Sequence, residues 1–168
     1  IPFTTTTTDV NCATGNRGSF ILKPTWVDAH NFTWKDSSNT IIRYTDYRQG
    51  ADTITNLKRG TYSVNMSNQV GCDTTLFFTI KNNNSIPFNL QITHANCATG
   101  NHGMAVFTAL NAASHSYIWM DSASGNVRKT ATNIVGSDTI KSLLEGSYKV
   151  YVQNTAGCDT MIYFRIRK

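Results

Sequence analysis

The chain contains two copies of one sequence pattern. Three segments recur in the same order: residues 1–3 (IPF) at 86–88, residues 11–16 (NCATGN) at 96–101, and residues 71–74 (GCDT) at 157–160. The first two recur after 85 positions and the third after 86. A fixed period indicates two copies of one structural unit. The sequence therefore predicts two domains, residues 1–85 and 86–168, each large enough for one small core.

The composition favours a β-protein outside the cell. Charged residues make up only 15% of the chain, and the net charge of +5 is scattered without the basic stripe that nucleic-acid binding needs. No run of 18 apolar residues is present, so we expect no transmembrane segment. No hydrophobic export signal begins the sequence, so we expect any such signal to have been removed or to lie upstream in a longer chain.

The four cysteines fall as one early and one late cysteine in each copy. Repeat symmetry favours the pairs Cys12–Cys72 and Cys97–Cys158, because each unit then closes on itself in the same way. Buried free thiols and a metal site remain alternatives, although the chain has no C-x-x-C and no histidine at ligand spacing from a cysteine. Disulfides indicate an oxidising compartment, which we expect to be extracellular or the bacterial cell surface.

Each copy has the alternation of seven short β-strands. In the first copy we predict strands at 4–10, 19–23, 31–35, 41–47, 52–57, 61–67 and 74–81, with a polar linker at 82–85. No segment has convincing helical periodicity. We therefore predict an all-β chain of two tandem immunoglobulin-like antiparallel β-sandwich repeats, each with one intra-repeat disulfide.

A repeated tyrosine motif supports the sandwich. The pattern L-x-x-G-x-Y occurs at 57–62 and at 143–148. It resembles the tyrosine corner of Greek-key sandwiches, in which the tyrosine hydroxyl bonds to upstream backbone. Trp34 and Trp119 precede it in equivalent strands, and we expect them to pack on aliphatic neighbours because no cysteine follows two residues after the tyrosine.

The ordered set of these features resembles the SprB-type repeats of gliding-bacterial surface adhesins. Nine positions carry the resemblance in each copy: Cys12, Gly18, Trp34, Leu57, Gly60, Tyr62, Val64, Gly71 and Cys72 in the first, and Cys97, Gly103, Trp119, Leu143, Gly146, Tyr148, Val150, Gly157 and Cys158 in the second. The approach to the tryptophan departs from that family, which tends to have a Gly-Gly and Pro-rich segment there. The resemblance implies a module of a long, secreted, surface-attached protein that serves adhesion or gliding motility.

The sequence shows no catalytic constellation. His30 and His115 are equivalent, but no ligand or acid stands near them in motif spacing, so we expect surface or rim histidines. Asp73 and Asp159 follow the late cysteines and are expected to bond locally in turns. There is no G-x-S-x-G and no phosphate-binding loop. We expect no enzyme, no cofactor and no metal.

Two functions remain after this exclusion. The first is a structural or adhesive repeat module, whose partners are neighbouring repeats or identical chains assembled into a fibre or filament. The second is a carbohydrate- or peptide-binding module that contacts a ligand such as surface polysaccharide through exposed aromatics. Trp26 has no aromatic counterpart in the second copy and, with Tyr44 and Tyr47, is the candidate ligand contact.

Overall fold

The computed structural model of the protein describes residues 1–83, 85–100 and 102–168. The linker predicted at 82–85 and the second NCATGN segment at 96–101 each include one residue outside this description. The described residues form β-strands and no helix. The strands are β1 (Phe3–Thr8), β2 (Val10–Asn11), β3 (Gly18–Pro24), β4 (Ala29–Lys35), β5 (Ile41–Gln49), β6 (Asp52–Leu57), β7 (Gly60–Asn68), β8 (Asp73–Ile80), β9 (Asn82–Asn83), β10 (Phe88–Thr93), β11 (Gly103–Ala109), β12 (His115–Asp121), β13 (Val127–Ile134), β14 (Ser137–Leu143), β15 (Gly146–Asn154) and β16 (Asp159–Ile166).

The strands divide between two compact units. The first comprises Ile1–Asn11 and Asn16–Asn83, and the second comprises Cys12–Gly15 and Asn84–Lys168. The short segment Cys12–Gly15 therefore belongs to the second unit, although the sequence pattern places it in the first copy. The division into domains at 85/86 stays a prediction.

The first unit contains a three-stranded sheet of order β1-β3-β6 and a four-stranded sheet of order β5-β4-β7-β8. All pairs in these two sheets are antiparallel. In the second unit, sheets of order β10-β11-β14 and β13-β12-β15-β16 repeat this arrangement. This three-plus-four strand order is that of an immunoglobulin or fibronectin III-like sandwich, and every strand predicted in the first copy is confirmed to within about two residues.

Aromatic side chains join the two sheets of each unit. In the first, Phe20 of β3 stacks on Phe78 of β8 with ring centroids 3.8 Å apart, and Trp34 of β4 meets both rings edge-on. In the second unit Phe107 of β11 meets Tyr117 of β12 edge-on at 5.7 Å across the two sheets, and Trp119 meets Phe164 edge-on at 5.9 Å within one sheet. The prediction that the two tryptophans pack on aliphatic neighbours did not include these aromatic contacts. Edge-to-face pairs of this kind add stability beyond that expected from the apolar area that they bury.

The predicted cysteine pairing is wrong. Cys12 is bonded to Cys158, while Cys72 and Cys97 are free thiols on the surface, so there is not one disulfide per repeat. Strand direction explains why. The early turn precedes β3 and the late loop follows β7, and the antiparallel order puts them at opposite ends of β3, whose seven residues span roughly 20 Å. A disulfide needs Cα atoms within about 7 Å.

Candidate functional site

The loop that carries Cys158 is shaped by one asparagine. The Asn154 side-chain oxygen accepts hydrogen bonds from the backbone N–H of Ala156 at 3.0 Å and of Cys158 at 2.9 Å. The Asn154 backbone N–H in turn donates to the Cys158 carbonyl at 2.9 Å. Closed on itself in this way, the loop presents the Cys158 sulfur in a fixed position.

The segment Cys12–Gly15 is held against this loop by more than the disulfide. The Cys12 and Cys158 Cα atoms lie 5.7 Å apart, and both cysteines are fully buried. The Asn111 amide donates a hydrogen bond to the Cys12 carbonyl at 2.8 Å. Gly15 has φ +77°, and a Cβ there would lie only 2.6 Å from the Ala113 Cβ. We call the loop 154–158 with Asn111 and Ala113 the socket of the second unit.

The first unit has the same loop, but nothing occupies it among the described residues. Asn68 repeats the scaffold of Asn154: its side chain accepts from the Cys72 N–H at 2.9 Å, and its backbone N–H donates to the Cys72 carbonyl at 2.9 Å. Val70, the counterpart of buried Ala156, is 81% exposed. A pocket of about 530 Å³ opens beside it, lined in part by Asp28 and Ala29.

In the second unit, the turn equivalent to Cys12–Gly15 is exposed, and no other described segment covers it. The Asn96 side chain accepts from the N–H of Ala98 at 3.0 Å and of Thr99 at 3.3 Å, and Gly100 has φ +68°, close to that of Gly15. Residues 96–100 are all exposed. Cys97 therefore lies on a preformed, uncovered turn.

Both early turns are anchored to their units in the same way. The Val10 N–H donates to the Lys81 carbonyl at 2.8 Å, and the Ala95 N–H donates to the Arg167 carbonyl at 2.9 Å. A second bond supports each anchor, from the Lys81 N–H to the Asp9 carboxylate and from the Arg167 N–H to His94 Nδ1. The covered and uncovered turns are thus anchored in the same way.

The aromatic ligand-contact candidates are exposed but do not form one cluster. Tyr44 and Tyr47 project from β5, an outer strand of its sheet, and Trp26 lies in the loop between β3 and β4. The Tyr47 N–H donates to the Asn31 side chain at 3.0 Å, at a bulge that gives Tyr47 a φ of +46°. Within the described part of the chain, no ring contact joins Trp26 to either tyrosine. Their role in binding stays a prediction.

Each unit contains a buried carboxylate that was not predicted from the sequence. Asp52 accepts a hydrogen bond from the Trp34 indole at 2.7 Å and pairs with Arg43 at 2.8 Å. Asp138 accepts from the Trp119 indole at 2.7 Å and pairs with Lys129. The signal was present, because an aspartate begins or nearly begins the same strand in both copies. Each buried carboxylate therefore has both a cation and an indole N–H as partners.

The repeated histidines are buried, so the expectation of rim positions was wrong. His30 is the second residue of β4 and His115 the first of β12. They pair in register with Asn68 and Asn154, the residues that shape the two late loops. Burial lowers the pKa of His115, which keeps its imidazole neutral near pH 7. Both imidazole side chains are buried and meet no solvent.

Across residues 1–83, 85–100 and 102–168, no three histidine, cysteine, aspartate or glutamate side chains converge on a point where a metal ion would bind. None of these residues belongs to a helix of the length and apolarity that crossing a membrane requires.

Several solved structures are weakly similar to this chain, at TM-scores below 0.5. No protein-family model matches the sequence, and no curated protein matches it. Among solved structures, the chain is similar to a segment of two fibronectin type III domains from chicken tenascin, at 10% identity over 98% of each chain and a TM-score of 0.44. It is similar to fibronectin(III)-like modules of Clostridium thermocellum CbhA, at 10% identity over 97% of this chain and 93% of that one, TM-score 0.35. It is also similar to a biofilm-associated protein BSP domain, at 15% identity over 96% of this chain and 29% of that one, TM-score 0.35.

Proposed function

We propose that the chain is a non-catalytic structural and adhesive module of an extracellular bacterial surface protein. In this proposal residues 1–85 and 86–168 are two tandem immunoglobulin-like domains of the SprB-type repeat kind. Neighbouring repeats or identical chains are their partners. The module spaces and presents surface rather than transforming a substrate.

The observation that carries this proposal is the duplicated strand order. Each unit has the same three-plus-four sheets and its own aromatic core, so each buries apolar surface without needing the other's strands. Antiparallel sandwiches of this kind serve widely as spacers and binding modules. The buried disulfide supports an oxidising location outside the cytoplasm.

Surface labelling of intact cells tests the proposal. An antibody raised against residues 1–168 should bind intact cells of the organism that encodes the chain, and gentle external protease should remove the epitope. Immunogold electron microscopy of the same cells then shows whether the label follows filaments. An epitope that is accessible only after cell lysis would refute a surface module.

The exposed aromatics favour a second candidate, a carbohydrate- or peptide-binding module. Tyr47 is 63% exposed and Trp26 49% exposed, and such rings stack on sugars or pack on peptides. Trp26→Ala separates the two readings in a glycan array combined with thermal melting. Lost glycan binding at an unchanged melting temperature supports the binding module, whereas a lowered melting temperature with no glycan signal supports packing.

A further inference from the structure

We infer that Cys97 of one chain forms a disulfide with Cys72 of a second copy of the chain, linking copies head to tail. The exposed turn at 96–100 would occupy the open loop at 68–72, as Cys12–Gly15 occupies the socket of the second unit. This inference deepens the proposed structural role, because it names the partner and the bond.

The bond that is already present defines the pairing. It joins the early cysteine of the first copy to the late cysteine of the second. If the same relation is repeated between two chains, the early cysteine in the second repeat of one chain bonds to the late cysteine in the first repeat of the next chain. Those two residues are Cys97 and Cys72, which are the two thiols left free and exposed.

Both halves of the joint are formed in advance. The loop at Cys72 has the asparagine-bonded conformation that holds Cys158, and the turn at Cys97 has the left-handed glycine and the anchor of the turn at Cys12. Little chain entropy is therefore lost on docking. What differs is burial: Val70 is exposed where its counterpart Ala156 is completely covered.

The open loop at 68–72 has different residues at the positions equivalent to Asn111 and Ala113 of the socket. Trp26 stands where Asn111 binds the Cys12 carbonyl, and it offers a large apolar side chain to cover. Asp28 occupies the position equivalent to Ala113, which meets Gly15.

The existing bond and the strand topology leave a second copy of the chain as the proposed occupant. The early turn and the late loop lie at opposite ends of each sequence copy, so Cys97 and Cys72 cannot bond to Cys158 and Cys12 of their own copies, which are already bonded to each other. A contact between two different surfaces of the same protein can be repeated from chain to chain. It builds an open filament unless the rotation between successive chains closes a ring. Each added chain then presents a new free Cys97 at one end and a new free Cys72 at the other.

The bond forms by thiol–disulfide exchange with a small-molecule disulfide such as oxidised glutathione. The Cys97 thiolate attacks the oxidant and releases one glutathione thiol, leaving a mixed disulfide. The Cys72 thiolate then attacks the Cys97 sulfur and releases the second glutathione thiol. Two protein thiols are oxidised, two electrons reduce the glutathione disulfide, and the two protons leave with the released thiols.

Incubation of the purified chain with oxidised glutathione tests this inference. Non-reducing electrophoresis should show a ladder in steps of 18.6 kDa that collapses with reductant. Cys72→Ser alone and Cys97→Ser alone should stay monomeric. An equal mixture of the two variants should give a dimer and nothing larger, and peptide mapping of it should link Cys72 to Cys97.

Other outcomes overturn it. Dimers of Cys72→Ser alone, as abundant as those in the mixture, would mean unselective oxidation of exposed thiols. Loss of both thiols without a change in mass would mean an internal bond, and thiols that remain free would mean no docking.

A surface variant tests whether docking precedes the bond. Val70→Lys places a charge where the turn must seat and should slow ladder formation at least tenfold. Val135→Lys, at a similarly exposed valine of the β13–β14 turn, should leave the rate unchanged. Equal rates for the two would overturn the docking step. A failed ladder with a surface-accessible epitope on cells refutes only this linkage, whereas a ladder with a purely intracellular epitope refutes the proposed function.

Discussion

Each unit of this molecule has a charged side chain buried in its core. Asp52 and Asp138 are almost completely buried, yet each accepts a hydrogen bond from the central tryptophan of its unit and pairs with a basic side chain. A buried carboxylate without partners would be strongly unfavourable. The indole N–H needs a buried acceptor just as much, so each group satisfies the other.

Asp138→Ala should therefore destabilise the second unit more than Asp138→Asn. Alanine leaves the Trp119 indole N–H without its acceptor, which costs about 1–3 kcal/mol. Asparagine keeps a carbonyl oxygen at that position. Chemical denaturation of both variants, followed by tryptophan fluorescence, gives the two unfolding free energies. Equal losses for the two variants would show that the charge matters and the indole bond does not.

His115 makes stability depend on pH. Its pKa is lowered by burial, so below about pH 6.5 the unfolded chain binds a proton at this residue that the folded chain does not. The free energy of unfolding should consequently fall as pH is lowered from 7.5 towards 5. His115→Phe keeps the ring and removes the proton site, and its pH dependence should be flatter in urea titrations. Identical pH profiles for variant and parent would contradict this.

At the scale of elements, the strands follow from alternation and the turns from glycine. All seven strands of the first copy were predictable because their segments either alternate apolar and polar residues or are rich in β-branched and aromatic residues. The tyrosine corner is confirmed as well: the Tyr62 and Tyr148 hydroxyls donate to the Lys58 and Leu144 carbonyls, each at 3.0 Å. Pairing partners across sheets and the bulges that shift register depend on contacts distant in sequence, so the sequence alone did not show them.

Gly18 marks one such bulge, where β3 passes close to β1 and β8. A Cβ at this position would lie 2.8 Å from the Thr8 carbonyl oxygen and 2.5 Å from a methyl group of Ile80. Gly18→Ala should therefore destabilise the first unit by about 1–3 kcal/mol through overpacking. Ser19→Ala, the neighbouring change, is the control in thermal melts. A melting temperature unaffected by Gly18→Ala would show that β1 yields without cost.

At the scale of the whole molecule, the cysteine pairing shows where repeat symmetry misled. Repeat symmetry allows each cysteine to bond inside its own sequence copy, but strand direction does not. With antiparallel strands, the connection before the second strand and the connection after the sixth lie at opposite ends. This parity was readable from the predicted strands. The role of the exposed aromatic residues, in contrast, could not be predicted, because nothing in the sequence distinguishes a ligand contact from an uncovered docking surface.

The Cys12–Cys158 bond should contribute strongly to stability because it closes a loop of 146 residues. In a Cys72→Ser, Cys97→Ser background, which leaves this as the sole disulfide, reductant should lower the unfolding free energy by about 2–5 kcal/mol. The matched control replaces Cys12 and Cys158 with serine and keeps Cys72 and Cys97. Measured as monomer under reductant, it should melt like the reduced background. If the Cys72→Ser, Cys97→Ser variant melts at the same temperature with and without reductant, the Cys12–Cys158 bond does not stabilise the fold. If peptide mapping of the parent chain joins Cys12 to Cys72, the Cys12–Cys158 bond is absent.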